Sequence, residues 1–129
     1  MTNPEQAGMA HDPLSEVQDA PLFIVPRVLD ALRAFRAASK FDDLPGLDTA
    51  EERARLTAAL DGLVDRLLAG IERHPTKFWV MKQFQQTLEG LQNEDTEARE
   101  HFGMALEEIM DILGIESSDG LLAWYLGGL

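Results

Sequence analysis

Three groups of side chains in this 129-residue sequence have types and spacings that chemistry could use. In NEDTEAREHF, Asn93 to Phe102, Glu97 and His101 lie four residues apart, Glu100 is beside them and Glu94 precedes them. On a helix that spacing puts carboxylate and imidazole on one side, where they could hold a metal ion or act as an acid–base pair. A dinuclear carboxylate centre, however, draws Glu-x-x-His from two helices together with further glutamates. Here the spacing is one residue longer, and the other histidines are His11, near the start, and His74, before a proline. Glu94, Asp95 and Glu97 also fall at an expected helix start, where the macrodipole favours negative charge. A solvent-facing Glu–His pair is the simpler reading, and no cofactor is expected.

The second group is Asp61 and Asp65, again four apart. Like charges at that spacing cost a few tenths of a kcal/mol. They point to a cation, from an arginine of the preceding helix or from another protein, unless Arg66 and solvent suffice. The third is HPTKFWVMKQFQ, His74 to Gln85. On a helix starting near Lys77, Val80 and Phe84 point inward and Trp79 falls at the core edge. Lys82 and Gln86 share the outer face, with Lys77 nearby. Core or core-edge packing is the preferred reading of the aromatics. The alternative is a Trp79, Lys82, Gln86 patch that docks a partner, since tryptophan is enriched where interfaces concentrate their energy. No Gly-rich phosphate loop, serine elbow, paired zinc motif or basic stripe is present.

These groups must be carried by helices, because no stretch alternates with period two for long enough to make a strand. Met1 to about Ala20 is polar and aperiodic and reads as a flexible lead-in. A first helix is expected over about 26 to 39, with Pro26 in its first turn. Its stripe is Val25, Val28, Leu29, Leu32 and Phe35. Pro45-Gly46 marks a turn, and Asp48 with Glu51 has the form of a capping box. Leu56, Leu60, Leu63, Val64, Leu67, Leu68 and Ile71 then trace a broad apolar face, ended by His74-Pro75. Thr76 caps a third helix, about 77 to 91. Asp95 or Thr96 caps a fourth, with Phe102, Leu106, Ile109 and Leu113 as its stripe, Met110 beside it and Gly114 closing it in a left-handed conformation. Ser117-Ser118 offers a cap for a short fifth helix, DGLLAWYL. Leu121, Leu122, Trp124, Tyr125 and Leu126 are expected to fold back and close the bundle. The fold class is therefore all-α: a small bundle or array of four to five mostly antiparallel helices in one domain, 21–129.

The net charge is −12, unevenly placed. Residues 1–88 carry 13 acids and 10 bases, whereas 89–129 carry 10 acids and only Arg99 as a base. Such a field repels nucleic-acid and anionic membrane surfaces and attracts basic partners. The absence of cysteine excludes disulfides and fits a reducing compartment. The first 20 residues lack the pattern of a secretory signal and no apolar run approaches membrane-spanning length, so a cytoplasmic location is expected.

The phrases FWVMKQFQQTLEGL, EDTEARE and LEEIMDILGIESSDGLL resemble a bacterial family known as domain of unknown function 4844, over roughly residues 22 to 126. The resemblance implies a single domain of about this length and supplies no activity. The expected function is a small acidic binding or regulatory protein, such as an immunity-type inhibitor of a basic protein. It would use Trp79, Lys82, Gln86, Glu94, Glu97, Glu100 and His101. A carboxylate/histidine metal-dependent enzyme, and a self-associating domain with Trp79, Trp124 and Tyr125 at a homodimer seam, are the alternatives.

Overall fold

The computed structural model describes residues 11–41 and 49–127. The expected turn at Pro45-Gly46 and the end at Gly128 lie outside them. Among the described residues there are five α-helices and a short 3-10 helix, Pro13–Glu16. The α-helices are α1 (Pro26–Ala37), α2 (Ala50–Gly70), α3 (Lys77–Glu89), α4 (Thr96–Leu113) and α5 (Leu121–Leu126).

The apolar stripes decide how they pack. On α2, Leu56, Leu60, Leu63, Val64 and Leu67 are all buried, because α1 lies on one flank and α3 on the other, with α4 also touching it. Each such side chain contributes roughly 1.5–3 kcal/mol when fully withdrawn from water. On α4, Phe102, Leu106, Ile109, Met110 and Leu113 face inward, towards α1 and α5. Phe102 stacks on Phe41 with ring centres 6.1 Å apart.

Helix ends follow local chemistry. Thr76 Oγ1 accepts the Trp79 N–H at 3.2 Å and Asp95 Oδ1 accepts the Ala98 N–H at 2.8 Å, as their positions suggest. Gly114 has φ 77°, and the Ile115 N–H then reaches back to the Met110 carbonyl at 2.8 Å. Two expected caps move. Thr49 is the N-cap of α2, accepting the Glu52 N–H at 3.0 Å, and Asp48 lies outside the described residues. Thr49-x-x-Glu52 has the same sequence form as Asp48-x-x-Glu51, one residue later. The last helix is capped by Gly120, in the left-handed region at φ 91°, although Ser118 Oγ still accepts the Leu122 N–H.

The lead-in expected over 1–20 divides. Residues 1–10 lie outside the described residues, whereas 11–20 pack as a strap across α3 and α5. Leu14 enters the core, Asp19 Oδ1 accepts the Phe78 N–H at 2.8 Å, and the Ala20 carbonyl accepts the Lys77 N–H at 2.8 Å. At the other end of the chain, Leu121, Leu122, Tyr125 and Leu126 close the core. Trp124 does not: it is 57% exposed and lies 5.2 Å from the His11 ring. On a helix the inward positions 121, 122 and 125 leave 124 on the far side.

Trp79 is half-buried, stacked on His74 at 5.5 Å and laid over Gly70. A methyl group on Gly70 would come within 2.5 Å of the indole ring. The glycine therefore makes room for the tryptophan. Gly70→Ala is expected to lower stability by about 1–2 kcal/mol, overpacking outweighing the better helix propensity of alanine. Urea denaturation with indole emission reads this; an unchanged midpoint would mean that the ring lies elsewhere.

Candidate functional site

The aspartates of α2 have found their cation inside the fold. Arg36 of α1 reaches Asp65 with Nε at 2.8 Å and Asp61 with Nη1 at 3.3 Å, and Lys40 Nζ lies 3.0 Å from Asp61. The Arg36 guanidinium, donating to Asp65, holds that carboxyl below the usual range. Arg66 does not serve the aspartates. It turns to α3, where Nη2 donates to Thr87 Oγ1 at 2.8 Å and to the Gln83 carbonyl at 3.1 Å, clamping the two helices.

Glu94 is likewise committed. Arg55 grips it through two hydrogen bonds of 2.8 Å, a bidentate arrangement that lowers its pKa. Glu94 and Gln86 line one α2/α3 groove together with Arg55 and Arg66. Lys82 is exposed on α3, and Trp79 is engaged with Gly70 and His74 as described. Lys77 is more than an outer-face charge: its Nζ lies 2.6 Å from Asp119, and both are largely buried.

Asp119 also accepts the Gln18 N–H at 2.8 Å. The Lys77 hydrogen bond first, then the Gln18 N–H, hold its carboxyl below the ordinary 3.8. A carboxyl whose folded pKa lies below its unfolded one stabilises the fold above the unfolded pKa and loses that contribution as pH falls. Asp12, lowered by the Leu14 N–H and Gln85, adds to the same trend. The melting temperature is therefore expected to fall as pH drops below about 4. Asp119→Asn should start lower at neutral pH and fall less steeply. Parallel curves for the two proteins would remove Asp119 from this linkage.

Glu97 and Glu100 point to solvent and His101 is half-buried. Among the described residues, no group of three or more His, Cys, Asp or Glu side chains is placed to hold a metal ion. What the three residues do share is the outer side of α4. At 100° per residue, Glu107, Glu100, Asp111, Glu97 and Glu108 fall, in that angular order, within an arc of about 100° that runs about 21 Å along the helix. All five are exposed, and none is ion-paired among the described residues. Met104, 64% exposed, sits inside the same arc.

Beside the arc, on the α1 side, a cavity of about 310 Å³ is lined by Phe35, Phe41, His101, Met104, Ala105 and Glu108. Met104 and the cavity were not singled out from sequence. The interruption of an acidic run by one methionine, at helical spacing from Glu97 and Glu108, was the available signal. No described helix is long and apolar enough to cross a membrane.

A family model described as a domain of unknown function (DUF4844) matches residues 24–129. No match was found among curated proteins or among solved structures.

Proposed function

Because the chain belongs to this family, whose description assigns no activity, we propose from its own surface that it is a binding or regulatory protein that docks a basic protein on the outer face of α4. The observation that carries this is the arc of five unpaired carboxylates with an exposed methionine among them. Three of the other acids of the last third are engaged internally: Glu94 with Arg55, Asp119 with Lys77, Asp95 as a helix cap. Of the five in the arc, Glu97 also favours the N-terminus of α4, and none has an ion-pair partner among the described residues. A clustered negative field raises encounter rates with cations and suppresses wrong partners. Methionine, being unbranched and polarisable, adapts to an apolar partner group. Inhibition of a basic protein by covering its cationic surface, in the cytoplasm, is the specific form proposed. Nucleic acid and anionic membrane are disfavoured by the same field.

Affinity capture from the native host, at about 50 mM and then 300 mM salt, with mass spectrometry of what is retained, tests this. A basic protein is expected at low salt and its loss at high salt. The same protein should be lost at low salt from a Glu100→Lys/Glu107→Lys/Glu108→Lys variant whose melting temperature is unchanged. Retention of the same partner by the variant would sink the reading.

A further inference from the structure

We infer that the seam between α1 and α4 receives a basic amphipathic helix whose apolar anchors stand seven or eight residues apart. This rests on the proposed docking role and gives it a geometry. Two cavities open along the seam. The first, of about 310 Å³, lies against Phe35, Phe41, Met104 and Ala105. The second, of about 330 Å³, lies against Leu22, Phe23, Val28 and Ile112, with Arg27 and Asp111 also lining it. The C-terminal end of α1 borders the first and its N-terminal end the second, while α4 contributes His101, Met104, Ala105 and Glu108 to the first and its last residues, 111–113, to the second. The two helices thus run antiparallel, with a cavity near either end of their contact.

The α4 linings are centred about eight residues apart, or about 12 Å at 1.5 Å per residue. On a partner helix laid along the seam that is the separation of positions i and i+7 or i+8, which face the same way. Apolar surface is already turned to water there: Phe23 is 81% exposed and Met104 64%. In the extended segment before α1, Leu22 and Ile24 pack against the core while Phe23 and Val25 point outward.

Charge selects the occupant. The carboxylate arc flanks both cavities along α4. Of the two cations that line these cavities among the described residues, Lys40 is already held by Asp61 and by the carbonyls of Arg36 and Ala38. Arg27 lines the second cavity, as does Asp111. A helix with lysines or arginines towards α4 and apolar side chains towards the seam satisfies both features. A second copy of this chain, itself carrying −12, would bring like charge against the arc. Residues 42–48, which follow Phe41, lie outside the described residues.

Fluorescence anisotropy with two lysine-rich helical peptides of identical composition reads the geometry. One has leucines at i and i+7, the other at i and i+5. At low salt the first is expected to bind at least about tenfold more tightly. Ala105→Phe, which fills the first cavity, should abolish that preference. So should Phe23→Ser, which changes an exposed side chain and leaves folding intact. Equal binding of the two peptides, both weakened by Glu107→Lys/Glu108→Lys, would overturn the seam and leave the acidic docking role standing. Binding of neither peptide would overturn both. A dimer of the unliganded protein that Phe23→Ser dissociates would place a second copy in the seam and overturn the assignment.

Discussion

Phe102→Ala is expected to lower the free energy of unfolding by about 3–5 kcal/mol, the range for removing a fully buried aromatic ring. The ring is wholly withdrawn from solvent and stacks on Phe41 at an interplanar angle of 17°. Phe41 itself has φ 62°, a left-handed conformation that a bulky residue adopts only when its surroundings hold it there. The stack with Phe102 supplies part of that hold. Losing it leaves a cavity and weakens the support of a strained residue, so the upper part of the range applies. Urea denaturation gives the value, with an unchanged m indicating an unchanged denatured state. The result also bears on function. Phe102 facing inward fixes the rotation of α4, and with it the outward direction of Glu97, Glu100, Glu107, Glu108 and Asp111. A loss under about 1 kcal/mol, typical of a surface position, would mean that α4 is turned otherwise and that the acidic arc is not where we place it.

The second large effect belongs to Leu14. Leu14→Ala should cost roughly 2–3 kcal/mol, the low end for a buried leucine, because the site lies under a short strap that can settle inward. The strap is tied at several points. Asp12 Oδ1 accepts the Leu14 N–H at 2.9 Å and the Gln85 amide at 2.6 Å. Gln18 donates to Asp119, and the Leu22 N–H bonds to the Pro75 carbonyl at 2.8 Å. Freeing the strap should therefore also release the Lys77 and Phe78 N–H groups in the first turn of α3. Amide exchange of Phe78, whose N–H is held by Asp19, is expected to accelerate in Leu14→Ala. A variant as stable as the wild type, with Phe78 still protected, would show that the strap is not anchored through Leu14.

The parts of this architecture that sequence could show are those governed by neighbours along one helix. The stripe from Leu56 to Leu67 spans several turns, so its phase is unambiguous, and Thr76, Asp95 and Gly114 each act on residues a turn away or less. Trp124 went the other way. A helix of six residues is under two turns, too short for a run of five apolar residues to reveal which one faces out. The strap had no periodicity to read, because it is held by one leucine and by isolated hydrogen bonds to residues far along the chain. Trp79 was placed at the core edge correctly, but its partner is Gly70, and the absence of a side chain leaves no signal. For Asp61 and Asp65 the sequence pointed to a cation and left its source open; the structure answers with Arg36 and Lys40 of the preceding segment. The candidate site split on the same principle. Glu94 was drawn off by Arg55, 39 residues away, whereas Glu97 and Glu100 stayed outward as their helix phase required. Phe23, Met104 and Ile112 gained meaning only once α1 and α4 lay side by side.

The most direct test of the account maps where a captured basic partner, or the lysine-rich i, i+7 peptide, touches the folded protein. Backbone amide shifts recorded during a low-salt titration provide it. The account predicts perturbations concentrated on residues 97–112 and on Phe23 to Val28, with Lys82 and Gln86 on α3 silent. A footprint centred on Trp79, Lys82 and Gln86, with α4 undisturbed, would contradict it.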